Sequence, residues 1–228
     1  MTTILFDLDG TLVDSTAIVL PVFKQTLQTF GRPAPDDAVL RRTFGMPDDE
    51  IWKMLMPDSD AETRKAAFEA SERDVVAGMF KTDIMIANAR EVLETLWSCG
   101  HTLTTASNCG NQYLAAVLDS QDIRRFFTAP LCLEAVHGTA KADILTTHFR
   151  QFDRCDTVMV GDRFSDVEAA HHHNVPVVGC LVGFGNQSEL AEADFIISDL
   201  RELVPLFPAK SAHLVPHRRG EFSNRLNE

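Results

Sequence analysis

Positive charge is in short supply in this 228-residue sequence: 21 Lys and Arg stand against 33 Asp and Glu, a formal net charge of -12. That balance disfavours nonspecific binding to nucleic acid or to an anionic membrane surface. The five cysteines, Cys99, Cys109, Cys132, Cys155 and Cys180, are scattered and form no CxxC pair. The pattern argues against structural zinc and a disulfide framework, and fits a reduced cytoplasm. No apolar run reaches the length of a membrane span, and Thr2-Thr3-Ile4-Leu5-Phe6 follows the first residue with no basic region before it. Neither a signal peptide nor a transmembrane helix is expected. Internal repeats and low-complexity tracts are also missing. With 45% hydrophobic and 24% charged residues, the chain can bury a sizeable core.

Short apolar runs alternate with helical patterns. Strands are expected at Thr3–Phe6, Thr102–Ala106, Thr128–Leu133, Thr157–Val160, Val175–Gly179 and Asp194–Ile197. Val92, Leu93, Leu96 and Trp97 recur at helical spacing between them, as do Leu114, Val117 and Leu118. Strands separated by helices predict a doubly wound parallel α/β sheet, a Rossmann-like core covered on both faces. Residues 15–83 break the rhythm. They carry no strand pattern, and helical stretches there are punctuated by Gly31-Arg32-Pro33, Gly45-Met46-Pro47 and Pro57. The expected division is a discontinuous core of residues 1–14 and 84–206, a helical insertion at 15–83, and a tail at 207–228.

Four segments carry candidate chemistry, and each has a bland reading beside it. Phe6-Asp7-Leu8-Asp9-Gly10-Thr11 follows the first strand, and open parallel sheets build their sites at such strand ends. Alone, DxDG is equally a turn. A calcium loop is disfavoured because Val13-Asp14 does not continue the ligand pattern. Gly161-Asp162-Arg163-Phe164-Ser165-Asp166 follows another strand, where either acid also suits a helix N-cap. Thr104-Thr105-Ala106-Ser107-Asn108, with Gly110 opening a helix, offers a hydroxyl and free N–H groups to an anion, or simply a serine cap. Lys141 in Gly138-Thr139-Ala140-Lys141-Ala142-Asp143 reads by itself as a solvated lysine.

Taken together and in this order, DxDGT at Asp7–Thr11, Ser107 at a strand end, Lys141 and GDxxxD at Gly161–Asp166 resemble the haloacid-dehalogenase-like hydrolase superfamily. The likeness is to its phosphoglycolate-phosphatase-like branch and covers about residues 2 to 206. The chain departs from many relatives in having Thr139-Ala140 before the lysine, where a proline is common. The resemblance implies a Mg²⁺-dependent phosphatase acting on a small phosphorylated, phosphoglycolate-like metabolite. In it Asp7 is the nucleophile and Asp9 the acid–base group. Mg²⁺ is held by Asp7, the Asp9 carbonyl and Asp162, with Asp166 in support. Phosphate is bound by Ser107, Lys141 and the Leu8, Asp9 and Asn108 N–H groups. An aspartate at position 9 separates phosphoryl chemistry from dehalogenation, because a leaving alkoxide needs a proton. Residues 15–83 then form a cap over the site, with Phe44, Gly45 and Met46 facing the substrate and Arg41 and Arg42 as candidate partners for a substrate carboxylate or, as the blander reading, part of a solvated helix face.

Other residues invite over-reading. His171-His172-His173 are successive on a helix and point about 100° apart, so they cannot converge on one ion; a solvated helix end is expected. Cys109 has no base placed for it. The rival functions are a sugar-phosphate mutase similar to β-phosphoglucomutase and a catalytically silent regulator on the same fold.

Overall fold

The computed structural model describes residues 1–209; residues 210–228 of the tail lie outside the described residues. Six parallel strands form one sheet, β1 (Thr3–Phe6), β2 (Thr102–Ser107), β3 (Leu131–Cys132), β4 (Thr157–Gly161), β5 (Val177–Cys180) and β6 (Phe195–Ile197), in the order β3-β2-β1-β4-β5-β6. Alternate residues of the central strands enter two separate cores. Ile4, Phe6, Val158 and Val160 pack on one face, and Leu5, Met159 and Val177 on the other. Burial on both faces explains why these strands read as continuous apolar runs.

All six expected strands are present, β1 with the expected ends and the other five with shifted ones. β3 keeps only two of six expected residues, because Pro130 has no N–H to donate and Ala129 takes φ +48°. Pro176 similarly delays β5.

Between β1 and β2 lie α1 (Thr16–Thr29), α2 (Asp37–Arg41), α3 (Asp48–Leu55), α4 (Ala61–Met79) and α5 (Ala89–Ser98). No strand occurs among residues 15–83. The chain leaves and returns side by side: Asp14 N–H donates to the Ile84 carbonyl at 2.8 Å and Ile86 N–H to that of Leu12 at 2.9 Å. Ile18, Phe23, Trp52, Val75 and Met79 from these helices join the sheet's larger core, so the helical layer is packed onto the sheet. The remaining helices are α6 (Asn111–Ser120), α7 (Lys141–His148), α8 (Phe164–His173) and α9 (Leu203–Leu206). Phe207 is buried, and its carbonyl meets His101 Nε2 at 3.1 Å, so the start of the tail docks on the core. Among the described residues no helix is long and apolar enough to cross a membrane.

β1 and β4 are neighbours whose onward connections run to opposite edges of the sheet. That reversal opens a crevice at their carboxyl ends, the usual ligand position in such sheets. Asp7 and Asp162 follow those two ends.

Candidate active site

Asp7 extends β1 by one bond, its N–H donating to the Val160 carbonyl at 2.9 Å. The chain then turns sharply. The Leu8 carbonyl accepts from Thr11, Leu12 and Val13 N–H groups, and Gly10 sits at φ +83°. A side chain at position 10 would be strained by that φ, and its Cβ would lie 2.2 Å from Asp162 Oδ2. The glycine therefore lets the β1 and β4 loops touch.

Three carboxylates meet there. Ligand oxygens of Asp7, Asp162 and Asp166 lie within 4.8 Å of one another, and all three residues are buried. Lys141, 4% exposed at the first position of α7, bridges two of them, Nζ donating to Asp7 Oδ1 at 2.8 Å and Asp166 Oδ1 at 2.5 Å. Burial pulls the ammonium down, but Asp166 and Asp7 outweigh it and hold Lys141 above its usual value. Burial drives Asp7 well up against the opposing pull of Lys141, with Asp166 and Asp162 adding to the rise. Asp162 is pushed up to about 7 by burial and then by Asp166.

Each acid is held by its own support. Asp162 Oδ2 accepts from the Phe184 and Gly185 N–H groups at 2.8 and 3.0 Å. Asp166 Oδ2 accepts the Arg163 N–H at 2.9 Å, so it also caps α8. Asp143 performs the same task for α7, accepting from Thr139 and Ala140 N–H, and fixes the lysine loop without a proline. Three carboxylates against one ammonium leave two formal negative charges in a buried space. Asp7 Oδ2 is buried with no hydrogen-bond partner. Both observations fit a divalent cation with oxygen ligands.

The Asp9 carboxylate points away from this cluster. Its Oδ1 accepts from Ser15 Oγ at 2.6 Å and Tyr113 Oη at 2.5 Å, and Oδ2 has no protein donor. Burial raises Asp9 despite the opposing effect of those two donors. Ser107, at the end of β2, is buried. The N–H groups of Leu8, Asp9 and Asn108 donate to no described residue.

Asp7, Asp9 and Ser107 border a cavity of about 80 Å³ closed on the far side by the helical layer. Phe44, Gly45 and Met46 line it as expected, and the Gly45 carbonyl accepts from Asn108 Nδ2 at 2.8 Å, joining layer to sheet. Arg41 is not brought to the cavity. It lies on the exposed side of α2, and its Nη1 reaches Thr16 Oγ1 at 3.4 Å. Arg42 is likewise exposed and away from the cavity. His171 and His172 are exposed at the α8 end, and His173 Nε2 meets the Ala142 carbonyl at 2.8 Å, so the three do not converge. A hydrogen bond with Cys132 and burial push the Cys109 thiol up, the wrong direction for a nucleophile. The sequence reading missed Ser15, Tyr113, Asp48, Glu72 and the Phe184-Gly185 turn. Asp48, from the start of α3, is partly buried in the cavity wall. Burial, then Glu72 and Glu134, push it up to about 7.

Comparison with known proteins agrees with this arrangement. A family model described as haloacid dehalogenase-like hydrolase matches residues 4–180. The chain is 28% identical over 197 residues to a 5'-nucleotidase of Pseudomonas aeruginosa, covering 82% of this chain and 86% of that protein. It is 24% identical over 215 residues to a phosphoglycolate phosphatase of Vibrio parahaemolyticus, covering 88% and 93%. The crystal structure of a predicted phosphatase from Clostridium acetobutylicum superposes with a TM-score of 0.77 at 28% identity, over 89% of this chain and 95% of that one.

Proposed function

The chain belongs to the haloacid dehalogenase-like hydrolase family, and on that premise we propose that it is a phosphatase that hydrolyses a small phosphomonoester through an aspartyl phosphate on Asp7. The observation that carries this is the pairing of a buried and a partly buried carboxylate in opposite settings. Asp7 sits against Lys141 in the carboxylate cluster, and Asp9 is held apart by Ser15 and Tyr113.

The phosphate docks on the Ser107 hydroxyl, Lys141 and the Leu8, Asp9 and Asn108 N–H groups, donors placed where charge develops. Asp7 oxygen attacks phosphorus, and the bond from phosphorus to the leaving oxygen breaks. Two donors occupy Oδ1 of Asp9, so its proton resides on Oδ2 and passes to the leaving alkoxide. The ionised Asp9 then takes a proton from water, whose oxygen attacks phosphorus and releases Asp7 and inorganic phosphate. Asp7, the Asp9 carbonyl and Asp162, with Asp166 in support, would hold Mg²⁺, which would supply positive charge against the repulsion between Asp7 and the phosphate dianion. The helices of residues 15–83 act as a cap that opens to admit substrate and closes to exclude water.

Hydrolase is favoured over mutase because, among the described residues, no Lys or Arg lines the cavity to grip a second phosphate. The test is phosphate release from a panel of small monoesters, 2-phosphoglycolate among them. Release is expected to stop with EDTA, return with Mg²⁺, and vanish in Asp7→Asn. Full activity in thorough chelation would refute the metal assignment, and a wild-type rate in Asp7→Asn the covalent route.

A further inference from the structure

The cavity between sheet and cap is where the leaving group of a docked phosphomonoester must sit, and its charge is of one sign. Asp9, Asp48 and Glu72 line it, and among the described residues no Lys or Arg does. Asp48 Oδ2, Glu72 Oε1 and Glu134 Oε2 each lie 3.3 Å from where a Cβ on Gly110 would stand, so three carboxylates surround one point at the cavity edge. Asn111 N–H donates to Glu134 at 2.6 Å. Among the described residues, Asp48 and Glu72 have neither a hydrogen bond nor an ion pair. Like charges gathered without a partner cost stability, which a ligand of opposite sign recovers.

A second observation is independent of the acids. Asn108, 8% exposed, lines the same cavity, and its amide nitrogen is committed to the Gly45 carbonyl. Its Oδ1 is buried and accepts no hydrogen bond. A buried acceptor in that state is an unmet hydrogen-bond demand beside the cavity.

The cation that fits is organic. Among the described residues, Asp7, Asp162 and Asp166 are the set of acids, His or Cys whose ligand atoms converge within 4.8 Å; Asp48, Glu72 and Glu134 are spread more widely. The rest of the wall is apolar and aromatic, with Phe23, Phe44, Trp52 and Tyr113 on it. Ring faces attract an ammonium, and a ring of carbon suits its methylene neighbours. A glycolate leaving group would place its carboxylate beside Asp48 and Glu72 with no cation to receive it.

We propose that this pocket selects a small amino-alcohol phosphate, a monoester whose leaving group carries an ammonium next to Asp48 and Glu72. The proposal rests on the phosphatase reading for the position of the phosphate, and the test keeps the two apart. Three esters of similar size are compared: O-phosphoethanolamine (ammonium), propyl phosphate (neutral) and 2-phosphoglycolate (carboxylate).

Wild-type kcat/KM with Mg²⁺ is expected to favour the ammonium ester over the carboxylate ester by at least about tenfold. In Asp48→Asn, Glu72→Gln and the double variant, that ratio is expected to fall toward one. Calorimetric binding of the same esters to Asp7→Asn protein gives the preference without turnover. If no ester is hydrolysed and Asp7→Asn still binds the ammonium ester tightest, the phosphatase reading fails and the pocket assignment stands. Equal or tighter binding of 2-phosphoglycolate overturns the pocket assignment whatever the turnover. A preference for the ammonium ester that survives both substitutions overturns it too. If the double variant does not fold, the single variants supply the ratio.

Discussion

Tyr113 Oη and Ser15 Oγ converge on the same oxygen of Asp9, Oδ1, from α6 of the sheet layer and from the residue before α1 of the helical layer. This pairing orients a partly buried acid and leaves its other oxygen for the substrate. Asp9→Asn is expected to lower kcat by roughly 10²–10⁴, most severely for esters with poor leaving groups. Tyr113→Phe removes one of the two donors and is expected to cost only about three- to tenfold, the worth of one hydrogen bond. A series of aryl and alkyl phosphates measures both. Equal dependence on leaving-group pKa in wild type and Asp9→Asn would remove Asp9 from the acid role.

Among the described residues Lys141 is the one cation within the buried carboxylate cluster, bonded to Asp7 and Asp166. Lys141→Met leaves both acids unpaired and is expected to destabilise the fold by about 3–5 kcal/mol, with kcat reduced at least about a hundredfold. Lys141→Arg is not expected to restore function, because a planar guanidinium does not fit the space of a compact ammonium. Thermal unfolding and single-turnover rates check both. A Lys141→Met protein with wild-type melting temperature would show that the bridge is not what holds the two acids together.

The parts of this site that sequence makes legible are those written locally. Asp7 and Asp162 each follow a strand and Ser107 ends one, and each strand's apolar run marks its own end, so the crevice residues can be read in order. The parts that are not legible arrive by tertiary packing. Phe184 and Gly185 reach Asp162 from 22 and 23 residues away along the chain, in a segment with no motif of its own. Asp48 and Glu72 belong to separate cap helices, whose spacing says nothing of their meeting at Gly110. One missed signal was available: Tyr113 is the single tyrosine of the chain and lies in the first turn of the helix after Ser107. Arg41 misled in the opposite sense, because a charge near a candidate loop does not fix which side of a short helix it occupies.

Gly10 is a backbone requirement of the carboxylate cluster. Gly10→Ala places a methyl group 2.2 Å from Asp162 Oδ2 in a left-handed backbone conformation. A loss of about 1–3 kcal/mol is expected from backbone strain, together with displacement of Asp162. If Mg²⁺ binds there, it raises the melting temperature of wild type, and Gly10→Ala is expected to abolish that rise. A variant stabilised by Mg²⁺ as much as wild type would separate Asp162 from the metal site.

Asp48 provides a pH test that requires no substrate. Its carboxyl is raised from 3.8 to about 7 by burial and by Glu72 and Glu134. A group whose folded value lies above its unfolded value contributes stability fully below the unfolded value, and loses that contribution as pH rises through the folded one. The window is therefore about 4 to 7: below it Asp48 is neutral and tolerated, and above it an ionised, unpaired carboxylate opposes folding. Asp48→Asn keeps the shape and removes the charge. At pH 8 the variant is expected to be more stable than wild type by on the order of 2 kcal/mol, allowing for partial screening by solvent. Near pH 4 the two proteins are expected to melt alike. Urea unfolding at pH 4, 6 and 8 gives the difference directly, and a gain independent of pH would place its origin in packing and not in charge. An ammonium ligand should act on the same charge, so ethanolamine together with inorganic phosphate is expected to stabilise wild type at pH 8 more than it stabilises Asp48→Asn.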